Sequence, residues 1–327
     1  MAEAPAPAVA GFLAARGLAG ATVTPVAADW SVRRFYRVET ADGGAILMHW
    51  PGGAIDRLAA TTALFDAHGV PVPTLLHADP AVGLVLVEDF GMQTVAQSID
   101  AGAEPAPMLA AAVDLLVHLH KAFPATMPGD LPAFDADTAA ERAARLCDFY
   151  LPAFGAGCDA AGRARFVALW RATWPAANAV PITLAHYDFH PGNMFWRPAA
   201  PAGARIALID HQDAVLAPVA FDLACLIQDI RRTYDPGLLA DLRARYLAAF
   251  PRLDPARLDQ ALAVIGAQRA SQILGGLGRA RVEGRITDRQ RADVGRTLAW
   301  LAADLAHPAN AALRPWYEEH GLLGNRA

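Results

Sequence analysis

The stretch His186-Tyr187-Asp188-Phe189-His190-Pro191-Gly192-Asn193 decides how the rest of this chain is read. It sets an aspartate five residues ahead of an asparagine, in a polar loop that runs into the short apolar segment Met194 to Trp196. A carboxylate can take a proton from an attacking hydroxyl, and an amide oxygen ligates a hard cation without adding charge beside it. Downstream, Pro198 to Gly203 is a connecting loop, and Arg205 to Ile209 is expected as a second strand that delivers Asp210 at its end. A carboxylate so placed suits magnesium held against nucleotide phosphates. Singly, Asp188, Asn193 and Asp210 are residues that any turn or cap uses; their combined spacing carries the chemistry.

The motif HxDxHPGN, followed seventeen residues after Asn193 by the aspartate that ends an apolar strand, resembles the catalytic loop and metal-binding segment of the aminoglycoside phosphotransferase and choline kinase-like family. The resemblance implies an α+β, bilobal protein-kinase-like fold, with a small β-rich N-terminal lobe over residues 1–90 and a larger helical lobe over 91–327. It implies ATP and Mg2+ as cofactors, Asp188 as the catalytic base, Asn193 and Asp210 as metal ligands, and Asp222 as the residue that pins the catalytic loop. Further segments are similar to the bacterial N-acetylmuramate/N-acetylglucosamine anomeric kinases of cell-wall recycling within that family. These are Asp210-His211-Gln212-Asp213-Ala214 with the apolar stretch that follows it, Arg33-Arg34-Phe35-Tyr36-Arg37, Gln268-Arg269 with Ile273-Leu274-Gly275, and His307-Pro308. Two departures stand out. His211 replaces the aromatic residue usual after the metal-binding aspartate, a change expected to touch packing. The third strand, Ala45-Ile46-Leu47-Met48-His49-Trp50, lacks the lysine that normally reaches the α- and β-phosphates, and the only lysine in the chain is Lys121.

With no strand lysine, Arg33 and Arg34 are the candidates to neutralise nucleotide phosphates, because an arginine fork matches phosphate oxygens. An exposed arginine pair is the plainer alternative. Glu88-Asp89-Phe90-Gly91 is the expected hinge, whose backbone groups can read an adenine edge. His118 and His120, two apart on a helix, do not share a face and do not suggest a metal site. His186 and His190 are expected to shape the loop. Trp300 and Trp316 read as packing, and Trp50 stays open. Arg231, Arg232, Gln268 and Arg269 either meet a substrate carboxylate or sit on helix surfaces, the second being the simpler expectation.

Around these motifs, Ala8 to Leu18 is amphipathic, Ser31 to Val38 and Ala45 to His49 form a hairpin about Asp42-Gly43-Gly44, and Ile55 to His68 is a helix stopped by Gly69. Val70-Pro71-Val72-Pro73 is an extended connector, and the unbroken apolar run Gly83 to Val87 is a buried strand. Leu109 to Phe123, Ala139 to Phe149, Ala161 to Trp174 and Ala220 to Arg232 are expected helices.

The chain has 327 residues, enough for two lobes. Its 28 basic against 33 acidic residues give a net charge of −5, without the basic excess that nucleic-acid binding requires. Its three cysteines, Cys147, Cys158 and Cys225, form no CxxC pair and suggest neither a disulfide framework nor a zinc site. Met1 to Gly20 lacks the basic start of a signal peptide, and no apolar run approaches the ~20 residues of a membrane span, so a cytoplasmic protein is expected. A small-molecule acceptor is the expected partner, most simply an amino sugar. An aminoglycoside, choline or an amino-acid hydroxyl as acceptor, or a nucleotide-binding pseudokinase, are the other readings these residues allow.

Overall fold

The computed structural model describes residues 7–26, 33–40, 43–123 and 131–323. Ser31, Val32 and Asp42, from the expected turns, lie outside the described residues. The described chain forms two compact units: residues up to Leu119 together with Pro191–Asp213, and His120–His190 together with the residues from Ala214 onward.

The first unit is built on a five-stranded antiparallel sheet. Its strands are β1 (Thr22–Val26), β2 (Arg34–Thr40), β3 (Gly43–His49), β4 (Leu75–Asp79) and β5 (Leu84–Glu88), in the order β1-β2-β3-β5-β4. Side chains along a strand alternate between faces, so the apolar runs of β3 and β5 supply both sides of the sheet. Ala45, Leu47, Leu84 and Leu86 face one way and bury Val9, Phe12 and Leu13 of helix α1 (Pro7–Ala14). Met48 and Val85 face the other way and bury Ile55 and Leu58 of helix α2 (Ile55–Ala67). Helix α2 stops where expected, with Gly69 in the left-handed region at φ +67°.

Neither β1 nor β4 was expected from the sequence. Both lie at the edges of the sheet, and β1, Thr-Val-Thr-Pro-Val, carries a proline and leaves most of its residues exposed. Edge strands of this kind lack the apolar alternation that marks a central strand. The hairpin Met194–Trp196 and Ile206–Leu208 forms as expected, antiparallel and in the register Met194 opposite Leu208, but it belongs to the first unit and not to the helical lobe over 91–327. Helix α3 (Val95–Asp100) packs against this hairpin and the turn Pro191–Asn193.

The second unit is helical around the long helix Pro255–Val282, whose buried residues run from Leu258 to Ala280. Two of its glycines bring neighbouring backbone close. A Cβ at Gly275 would stand 2.5 Å from the Arg145 carbonyl carbon, and one at Gly278 would stand 2.5 Å from Tyr150 Cα. The expected helix Ala139 to Phe149 is instead a helix over Ala136–Ala143, followed by a π-helical turn over Leu146–Tyr150. The backbone meets Gly275 at Arg145, just before that turn, and Gly278 at its end. The helix from Ala220 ends at Ile227, five residues before the expected Arg232. A two-stranded pair, Ile182–Ala185 with Val215–Pro218, leads into the motif loop. Among the described residues, no helix is long and apolar enough to cross a membrane.

Candidate catalytic site

In the second unit, the strand Ile182–Ala185 delivers His186, and Asp222 takes hold of the chain as it leaves. Asp222 lies in the first turn of helix Ala220–Ile227 and is buried. Its Oδ2 accepts the His186 backbone N–H at 2.6 Å and its Oδ1 accepts the Tyr187 N–H at 3.0 Å. Burial pushes the Asp222 pKa up, against the opposing pull of His186 and the two backbone donors.

Tyr187 has φ 82°, a conformation that a residue with a side chain adopts only when its surroundings hold it there. Here they do. Its ring stacks on Phe221 at 5.7 Å, its hydroxyl accepts from Gln272 Nε2 at 2.8 Å, and its carbonyl accepts from Arg269 Nη1 at 3.0 Å. Asp188 follows directly, with a side chain 39% exposed. His190 Nε2 stands 3.3 Å from its Oδ2 and Arg269 Nη2 stands 3.9 Å from its Oδ1. Burial alone would raise the pKa of Asp188, but His190, Arg231 and Arg269 overcome it and hold the carboxyl well below the usual carboxylate range. Asp188 is therefore ionised at any physiological pH. A carboxylate held this firmly is a weak base, better fitted to orient a hydroxyl and accept its proton late in a loose phosphoryl transfer than to form an alkoxide first.

In the first unit, the hairpin register explains how residues seventeen apart in sequence meet. Met194 pairs with Leu208, and the next step outward joins the Ile209 N–H to the Asn193 carbonyl at 3.0 Å. Asn193 and Asp210 thus leave the same end of one hairpin. Asp210 has φ 63°, the second left-handed residue with a side chain among those described. Its Oδ1 accepts from Arg33 Nη2 at 2.6 Å and from Gln212 Nε2 at 2.9 Å. The donor set, an amide oxygen beside a carboxylate, is that of a hard divalent cation, and the Arg33 guanidinium stands where positive charge is wanted. These residues fit magnesium. His211 is buried, bonds Thr62 Oγ1 of α2 through Nε2 at 2.7 Å and meets Phe65 edge-on, so the departure at this position serves packing.

The other residues singled out from the sequence divide. Arg33 reaches the Asp210 carboxylate, with its guanidinium carbon 5.4 Å from the Trp50 ring centroid, whereas Arg34 is exposed on β2 and paired across to His49. Along β5 and beyond, the Glu88 carboxylate accepts from Thr74, Asp89 pairs with Arg37 at 2.5 Å, and Phe90 packs on Phe195. Their side chains are committed within the unit. Arg37 was not singled out as the partner of Asp89, and nor was His190 as the partner of Asp188; alternation along β2 was a signal for the first. Gln268 and Arg232 are not helix-surface residues: Gln268 is buried and donates to the Ala139 carbonyl, and Arg232 packs against buried Asp229 at 3.6 Å. His118 bonds the His68 carbonyl and His120 the Tyr246 hydroxyl, at 2.9 and 2.7 Å. Trp316 is buried packing, as expected.

Comparison with known proteins bears on this geometry. A family model described as the phosphotransferase enzyme family matches residues 22–258. An N-acetylmuramate/N-acetylglucosamine kinase of Caulobacter vibrioides is 31% identical over 95% of this chain and 95% of its own length. A protein of the same description from Neisseria meningitidis is 30% identical over 68% of this chain and 66% of its own. Among solved structures, a choline/ethanolamine kinase family protein from Mesorhizobium loti has a TM-score of 0.63 at 19% identity, covering 95% of this chain and 98% of that one. A spectinomycin phosphotransferase in complex with ADP and spectinomycin has a TM-score of 0.56 at 12% identity, covering 91% and 93%. These structures share the bilobal α+β kinase-like fold.

Proposed function

This chain belongs to the phosphotransferase enzyme family, and we propose that it transfers the γ-phosphoryl group of ATP to the anomeric hydroxyl of N-acetylmuramate or N-acetylglucosamine. The observation that carries this reading is the motif loop itself, with Asp188 ionised beside His190 and Arg269 and the loop backbone pinned by Asp222. Asp188 orients the acceptor hydroxyl and receives its proton. Asn193 and Asp210 hold magnesium, which when bound shields the phosphate oxygens and the charge that develops on them. Arg33 takes the part of the absent strand lysine and supplies a fixed positive charge to the phosphates. The backbone of Glu88 to Phe90 reads the adenine edge, while the side chains of Glu88 and Asp89 hold the segment in place through Thr74 and Arg37. The sugars are those named for the relatives that this chain matches over most of its length.

The test is transfer from ATP with magnesium to the two sugars, with kanamycin and choline as parallel acceptors. Transfer confined to the amino sugars is expected, and Asp188→Asn should lower turnover ~10²-fold or more by loss of the base. Transfer to kanamycin or choline instead would replace the acceptor, and an Asp188→Asn variant of near-normal rate would remove the role given to that residue.

A further inference from the structure

Beside the loop that carries Asp188, the second unit holds two arginines that form no ion pair among the described residues. Arg142 and Arg145 are three positions apart and so share a face, at the end of helix Ala136–Ala143 and the start of the π-helical turn. The Arg142 guanidinium carbon lies 5.5 Å from the ring centroid of Tyr187, the residue before Asp188. The Arg145 backbone is pressed against Gly275 of the long helix, and Gln272, three residues earlier on that helix, holds the Tyr187 hydroxyl at 2.8 Å. Both arginines therefore belong to the same patch as Tyr187.

Neither makes an ion pair with a carboxylate among the described residues, although other arginines nearby do. Arg163 is paired with Asp148 at 2.7 Å and Glu141 at 2.9 Å, which engages the carboxylates closest in sequence to Arg142 and Arg145. Arg279 is paired with Glu283, Arg231 with Asp229, and Arg269 is occupied by Tyr187 and Asp188. Arg145 is partly buried; burial first, then the like charges of Arg142 and Arg279, push its pKa down, and Tyr187 and Asp148 offset this only in part. It remains charged all the same, and Asp148 is already paired with Arg163, so the strip keeps a net positive potential that an anion would relieve.

We propose that Arg142 and Arg145 form the subsite that receives a carboxylate carried by the acceptor sugar. The inference rests on the amino-sugar reading above and names the part of the molecule that tells the two sugars apart. N-acetylmuramate bears a lactyl ether ending in a carboxylate, and N-acetylglucosamine bears a hydroxyl in its place. A guanidinium fork binds a carboxylate through two parallel hydrogen bonds, and the aromatic face of Tyr187 keeps Arg142 in place for it.

The experiment compares kcat/KM for the two sugars in the wild type, Arg142→Gln, Arg145→Gln and Arg145→Lys. The ratio of N-acetylmuramate to N-acetylglucosamine should fall ~10-fold to 100-fold in the glutamine variants, the scale of a lost charge-assisted hydrogen bond, and should recover in part in Arg145→Lys. Transfer to the uncharged sugar, measured in the same preparation, reports whether each variant is folded. In the wild type, added salt should raise KM for N-acetylmuramate more steeply than for N-acetylglucosamine. An unchanged ratio in both glutamine variants, or equal salt slopes in the wild type, would overturn the subsite and leave the amino-sugar reading in place. Transfer to N-acetylglucosamine alone by the wild type would do the same, whereas transfer to neither sugar would overturn both.

Discussion

Tyr187 and Asp210 are the non-glycine residues with positive φ among those described, at 82° and 63°, and each adjoins or supplies a group assigned to the chemistry. Backbone held in a sparsely populated region costs on the order of 1–3 kcal/mol, so both need firm anchors. Tyr187 has them in Asp222, Arg269 and Gln272, and Asp210 in Arg33 and Gln212. Arg33 has a second consequence. Its guanidinium shares Oδ1 of Asp210 with Gln212, so a cation that binds this carboxylate competes with an arginine already there. Removing the carboxylate should remove the cation. Asp210→Ala is expected to weaken magnesium-dependent ADP binding at least ~10-fold, since even groups that merely orient a metal's ligands contribute that much. Calorimetric titration with and without magnesium checks it, and an ADP affinity equally magnesium-dependent in the variant would show that Asp210 is not a ligand.

Among the elements, the long helix Pro255–Val282 shows how glycine can be a packing residue. A helix interior ordinarily gains ~0.5–1 kcal/mol when glycine becomes alanine. At Gly278 the new Cβ would meet Tyr150 backbone at 2.5 Å, and backbone does not yield as a flexible side chain does. Gly278→Ala should therefore destabilise, by about 1–3 kcal/mol as overpacked sites do. Gly295, in the helix Asp288–Leu305, has nothing within 4 Å of its Cβ position, and Gly295→Ala should stabilise by ~0.5–1 kcal/mol. Urea denaturation of the two variants beside the wild type reads the opposite signs, and a stabilised Gly278→Ala would refute the packing argument. The same helix carries Gln272 to the Tyr187 hydroxyl and Arg269 to Asp188, so packing at its glycines bears directly on the loop.

At the scale of the whole molecule, stability should depend on pH through Asp304. This carboxyl is buried, its Oδ1 accepts from Gln228 Nε2 at 2.9 Å, and its Oδ2 finds no donor among the described residues. Burial raises its pKa well above the ordinary value, so between about pH 4 and that raised value the native state binds more protons than the unfolded chain. Stability then falls as pH rises across that window. Asp304→Asn, which carries no charge and can still accept from Gln228, should leave stability near pH 4 unchanged and increase it at pH 8. Urea midpoints at the two pH values test this, and an unchanged midpoint at pH 8 would reject it. Asp188 contributes with the opposite sign: its depressed pKa adds stability that is present above the unfolded value and lost as pH falls.

The sequence alone determined the parts whose information is local. Periodicity and stop signals yielded the central strands, helix α2 and the hairpin that carries Asn193 and Asp210, motif spacing singled out the candidate residues Asp188, Asn193 and Asp210, and the family resemblance implied Asp222 as the anchor of the loop. Tertiary structure decided what depends on partners distant in the chain. The edge strands β1 and β4 exist because neighbouring strands offer them hydrogen bonds, not because their own residues alternate. Arg33 is distinguished from Arg34 by a carboxylate 177 positions away, Gln268 proves to be core, and the Arg142–Arg145 pair shows its lack of an ion pair only once Arg163 is seen to hold Asp148 and Glu141. Charge compensation is a property of through-space distance, and distance between remote residues is what folding supplies.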